Sequence, residues 1–184
     1  MKTRILLAVL FPTSAWAHPG HVDSGLLAGF FHPFSGLDHI VAMLAVGVWA
    51  ARNSASRCWF APAAFLAGMS VGGLLGFDGF LPGFLESAIT ASALAAALLV
   101  VFALHLPLAL QAALAALFAV WHGIAHGVEL PLAVAPATYV TGFLLATSVL
   151  LGAGLLLGKL LQRADRDRWL GGGLTALAAT LLWS

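Results

Sequence analysis

The sequence predicts an all-α integral membrane protein, a cleavable signal peptide followed by a six-helix transmembrane bundle. Three observations carry this expectation. The 184 residues are 61% hydrophobic and 8% charged, with a mean hydropathy of +1.01, whereas about a quarter of the residues of a soluble domain are charged. The apolar stretches are long Ala/Leu/Val/Gly runs rather than alternating blocks of roughly ten residues, which favours helices over a transmembrane barrel. The basic residues beyond the first few positions fall into two gaps between these runs. The same composition excludes other classes. A formal charge of +1 without a basic run gives no basis for nucleic-acid binding. The single cysteine, Cys58, can form neither an intramolecular disulfide nor a thiolate cluster.

Residues 1–17 have the three parts of a secretory signal: Lys2 and Arg4, the apolar run Ile5 to Phe11, and the small-x-small sequence Ala15-Trp16-Ala17. The run is about half the roughly 20 residues needed to span a bilayer, which argues against an uncleaved first span. Residues 18–32 then form a periplasmic, His-containing N-terminal segment. It opens with His18-Pro19-Gly20-His21-Val22-Asp23, and cleavage would add a free amine at His18. Pro19 has no backbone N–H, which blocks a site built from successive deprotonated amides. A solvated tail and a weak metal-capture site at His18, His21 and Asp23 both remain open.

Residues 33–184 form the membrane domain. Its six apolar segments run over about 36–51, 59–77, 84–104, 107–128, 136–158 and 169–183, with a lead-in helix over Leu26 to Phe31 that Pro33 interrupts. With the N-terminus outside, the loops after the first and fifth segments are cytoplasmic and hold Arg52, Arg57, Lys159, Arg163, Arg166 and Arg168, as the positive-inside rule requires. The location read from this pattern is a bacterial inner membrane, multi-pass, with the mature N-terminus and the C-terminus periplasmic. Trp49, Trp59, Trp169 and Trp183 are expected at helix ends as interfacial anchors. Gly68, Gly72 and Gly76, and Gly154 and Gly158, repeat every four residues, a spacing that lets helices pack closely. His105 is read as a hydrogen-bonded core residue.

Two segments carry ionisable groups where hydrocarbon would make them costly. The fourth has His122, His126 and Glu129 at spacings of four and three, which an α-helix aligns on one stripe. At the head of the first, His39 and Met43 are four apart, Asp38 is adjacent, and His32 lies seven before His39. The first segment runs inward and the fourth outward, so both groups fall at the same depth. Imidazole together with carboxylate suits borderline dications such as nickel, cobalt, copper or zinc, while magnesium and calcium prefer oxygen alone. Asp38 and Glu129 would neutralise a dication. Met43 alone reads as packing more readily than as a ligand.

In these two segments the chain resembles the HupE/UreJ family of nickel and cobalt permeases. The resemblance rests on His32, five residues and then Asp38-His39, and on Trp121-His122-Gly123-Ile124-Ala125-His126-Gly127-Val128-Glu129. Family members often have Phe where this chain has Trp121. The resemblance implies secondary uptake of Ni²⁺ or Co²⁺ for metalloenzymes such as hydrogenase or urease. It also implies that His32, Asp38, His39, His122, His126 and Glu129 matter for transport.

The expected partners are thus a divalent metal ion, as substrate rather than prosthetic group, and the lipid bilayer. No Walker-type Gly-rich sequence is present, so ATP use by the chain itself is not expected. The membrane potential supplies about 2.3 kcal/mol per charge per 100 mV, twice that for a dication. Two competing readings are an intramembrane metalloenzyme with Glu129 as base, and a haem-binding membrane protein. The first lacks a His-Glu-x-x-His pattern. The second needs opposed axial ligands, whereas His122 and His126 point the same way. A non-enzymatic permease is the expectation, with the oligomeric state undetermined.

Overall fold

The computed structural model describes residues 22–132, 134–162 and 167–180. The expected signal peptide, His18 and His21 lie outside the described residues. Every regular element among them is helical: α1 (Val22–Phe31), a 3₁₀ turn (His32–Phe34), α2 (Leu37–Ala50), α3 (Phe60–Phe77), α4 (Leu85–Val101), α5 (Leu108–Val128), α6 (Pro136–Gln162) and α7 (Asp167–Thr180). By length and composition α3, α5 and α6 can each cross a membrane, and α1 with α2 makes a fourth candidate span if the bent pair is counted as one. The apolar helix α4 has 17 residues and α7 has 14.

The expected lead-in helix is longer at its start, and Asp23 belongs to α1. Pro33 sits at the start of the 3₁₀ turn, and Ser35 Oγ donates to the His32 carbonyl at 2.6 Å. Gly36 is extended (φ −110°, ψ 126°) and leads into α2. The chain therefore bends by 78° between α1 and α2, bringing His32 back over the head of α2. Helix α3 ends in a Schellman turn, with Phe80 N–H on the Leu75 carbonyl, Gly79 N–H on that of Gly76, and Gly79 at φ +88°. Helix α4 ends in the same turn with Ala103 at φ +53°, where glycine is usual.

The glycine spacings do what packing requires. A methyl group on Gly68, Gly72 or Gly76 would run into the carbonyls of Ala116, Val120 or Ile124 on α5, and one on Gly123 or Gly127 into Met69 or Gly73 on α3. Helices α3 and α5 thus run parallel with their backbones in contact. Gly154 and Gly158 let α6 meet α2 at Leu44 and Val48 in the same way. A third close approach, Gly29 on Tyr139 and Gly142 on Leu26, holds α1 against α6.

One end of the bundle gathers the start of α2, the C-terminus of α5 and the start of α6. At the opposite end Asn53 Nδ2 donates to Gln111 Oε1 at 2.7 Å, and Gln111 Nε2 donates to the Leu106 carbonyl at 2.8 Å. Trp49 corrects the expectation of an interfacial anchor. It is 1% exposed, because its indole N–H reaches the Leu104 carbonyl at 2.9 Å and the ring fills the core. Trp59 and Trp169 are exposed, as anchors would be. His105 is exposed in the α4–α5 turn rather than in the core.

Candidate metal centre

Three features of the backbone place the four imidazoles. The 3₁₀ turn carries His32, the first turn of α2 carries Asp38 and His39, and the last two turns of α5 carry His122 and His126, with Glu129 capping that helix. Ring centroids are 4.7 Å apart for His32 and His126, 4.9 Å for His39 and His126, 5.0 Å for His39 and His122, and 6.3 Å for His32 and His39. The two sequence motifs, more than eighty residues apart, thus form one cluster at one level of the bundle. His39, His122 and His126 are buried, the last two completely.

The hydrogen bonds fix the chemistry that each ring presents. Nδ1 of His122 lies 2.9 Å from the Phe118 carbonyl. A carbonyl only accepts, so Nδ1 carries the proton and Nε2 carries the lone pair. Asp38 Oδ1 lies 2.8 Å from Nδ1 of His39 and also accepts the His39 backbone N–H at 2.8 Å. The carboxylate holds the same tautomer there. Carboxylate or carbonyl behind one ring nitrogen, with the other left bare, is the arrangement that orients metal-binding histidines. The bare nitrogens, His39 Nε2 and His122 Nε2, are buried without a hydrogen-bond partner, and so are both nitrogens of His126. Unpartnered buried polar atoms each cost about 1–3 kcal/mol, so four in one cluster require a reason.

His32 is engaged differently. Its Nε2 pairs with Glu129 Oε2 at 2.8 Å, across the gap between the 3₁₀ turn and the end of α5. This hydrogen bond from His32 holds the Glu129 carboxyl below its ordinary range, more than offsetting the cost of partial burial. A cleft of about 300 Å³ opens onto the cluster and is lined by His32, Asp38, His39, Glu86, Ala125 and Glu129 among others. Three carboxylates therefore face the entrance, which favours cations. Among the described residues, no three His, Cys, Asp or Glu side chains already stand as a ready coordination set. Asp38 and Glu129 are occupied by His39 and His32 rather than aimed at a common point.

Met43 is wholly buried among apolar side chains of the core. Several residues at the site were not singled out by sequence. Phe143 stacks on His126 (4.7 Å, 9°). Tyr139, the chain's single tyrosine, lies 5.9 Å from the His32 ring and leaves its buried hydroxyl unpartnered. Glu86 lines the cleft from the first turn of α4. Gly36 leaves no room for a side chain, because a methyl there would press on Asp38 Oδ1 and His39 Nδ1. A lone tyrosine one turn into an apolar segment, with an aromatic four residues later, is the signal that would have pointed to the α6 wall.

Comparison with known proteins identifies the family. The family described as HupE / UreJ protein matches residues 6–181. Protein HupE of Rhizobium leguminosarum bv. viciae is 42% identical over 185 residues, covering 98% of this chain and 95% of its own. No solved structure matches the chain. With one family match running through both histidine motifs and a relative of nearly the same length, the chain belongs to the HupE/UreJ family.

Proposed function

We propose that the protein is a secondary transporter that imports Ni²⁺ or Co²⁺ across the inner membrane and supplies metalloenzymes such as hydrogenase or urease. The observation that carries this reading is the convergence of His39, His122 and His126, buried and with bare ring nitrogens, in one cluster that His39 joins to a cleft lined by carboxylates. The donor chemistry suits a borderline dication. Asp38 and Glu129 supply two negative charges for its two positive ones. Capture would re-aim His32 and Glu129 from each other toward the ion.

In this proposal the ion arrives from the periplasm, where His18, His21 and Asp23 meet it first. It passes the cleft to the buried imidazoles and leaves inward, drawn by the membrane potential at about 2.3 kcal/mol per charge per 100 mV. The cluster then lies in the periplasmic half, and Arg52, Arg57 and Lys159, at the opposite end of the bundle, face the cytoplasm. Because imidazole must be neutral to bind metal, uptake falls as the medium is acidified.

Uptake of radiolabelled nickel by cells producing the wild type, His122→Ala or Asp38→Ala tests the reading. Both variants are expected to lose at least nine-tenths of the protein-dependent uptake, since a group of ligands acting on one ion fails as a unit. Uptake equal to wild type in both, at equal protein levels in the membrane, would overturn it.

A further inference from the structure

Tyr139 stands on the one wall of the cluster that the family motifs do not describe. It is 1% exposed, on the first turn of α6. Its ring lies 5.9 Å from His32 and 5.9 Å from Phe143, and Phe143 stacks on His126. Its phenol is within electrostatic reach of the Glu129 carboxylate. Yet its hydroxyl finds no hydrogen-bond partner in the protein, alone among the aromatic side chains of this wall in having one to place. Core packing does not require that hydroxyl, because phenylalanine would fill the same space without the cost of burying an unpaired O–H. The unpartnered nitrogens of His126 lie in the same cluster, on the ring that Phe143 covers.

We propose that Tyr139 is a positioning residue for the transported ion, its hydroxyl accepting a hydrogen bond from a water molecule that the bound dication retains. This rests on the reading of the histidine cluster as the transport site. A dication held by three imidazoles completes its coordination with water, and a hydroxyl that holds this water steadies the ion. The group that has no partner within the protein gains one when the ion enters, as do the nitrogens of His39, His122 and His126.

Calorimetric titration of the purified full-length protein in detergent with nickel chloride tests this on the wild type, Tyr139→Phe and His122→Ala. Tyr139→Phe keeps the ring and its contacts and removes only the oxygen. The expected result is a roughly tenfold rise in the nickel Kd, the loss typical of one hydrogen bond to a charged partner. The melting temperature of the metal-free Tyr139→Phe protein should equal or exceed that of the wild type, since no hydrogen bond is lost. Unchanged nickel binding in Tyr139→Phe, with binding lost in His122→Ala, would overturn the role of the hydroxyl and leave the cluster reading standing. A lower melting temperature of the metal-free variant would also overturn it by making the hydroxyl structural. Wild-type binding in His122→Ala would remove the cluster reading and this inference with it.

Discussion

At the scale of single residues, the site is defined less by which groups are present than by which of their atoms are already used. His39 and His122 each spend Nδ1 on an oxygen of their own helix, the Asp38 carboxylate or the Phe118 carbonyl, and keep Nε2 bare. These oxygens thereby fix the tautomer in which Nε2 of each ring keeps its lone pair free. Glu129 shows the complementary case. Its carboxyl is held below its ordinary value of 4.5 mainly by His32. A carboxyl depressed in the folded state stabilises the fold fully above its unfolded value, and the contribution is lost as pH falls through the folded value. The His32–Glu129 pair should therefore hold the mouth of the site at neutral pH and release it on acidification below about 4.5. Melting temperatures of the wild type and Glu129→Gln measured from about pH 7 to pH 3 check this. The wild type should lose more stability on the acid side, and the difference between the two proteins should shrink as pH falls.

At the scale of elements, helix α5 is a rigid platform because α3 touches its backbone rather than its side chains. Gly72 abuts the Val120 carbonyl, which cannot turn aside. Gly72→Ala should force the two helices apart and destabilise the protein by about 1–3 kcal/mol, the usual cost of overpacking. It should also weaken metal binding, because His122 and His126 follow Val120 on the same helix. Ala103 provides the opposite case. It occupies the left-handed position that closes α4, so Ala103→Gly should gain about 1 kcal/mol by relieving the Cβ contact. Its site, at the far end of the bundle, should bind metal as before. Denaturation midpoints in detergent, paired with nickel titrations, separate the two outcomes.

At the scale of the whole molecule, the cluster exists only because three helix pairs dock at once: α3 on α5, α2 on α6, and α1 on α6. The last is the most exposed to perturbation, since α1 is a single ten-residue helix held by Gly29 and Gly142. Gly142→Val places its side chain against the α1 backbone at Leu26 and Phe30 and should lift α1 away. His32 would then leave His126 and Glu129 although none of the three is altered. Metal affinity should fall by a factor of at least ten, about 1.4 kcal/mol, with far-ultraviolet circular dichroism unchanged. Normal affinity in a folded Gly142→Val protein would show that α1 does not position the site.

The sequence by itself determined the helical class, the helix limits to within a few residues, the glycine faces of α3 and α6 that admit a neighbouring helix, and the joint level of the two histidine motifs. These are one-dimensional properties. Apolar run length, a period near 3.6 and spacings of three and four are imposed by hydrocarbon thickness and helix geometry, and they can be read along a chain. The tertiary structure alone decided that Trp49 is buried while His105 is exposed, that α1 folds back through 78° to bring His32 over His126, and that Tyr139, Phe143 and Gly36 complete the site. Each of these depends on which neighbour meets a side chain across a helix interface. In an apolar chain the hydropathy of a residue says little about that, because lipid and protein core are nearly the same solvent. The unpaired atoms of the cluster are likewise invisible in sequence, since a histidine's tautomer is set by the partner that folding gives it.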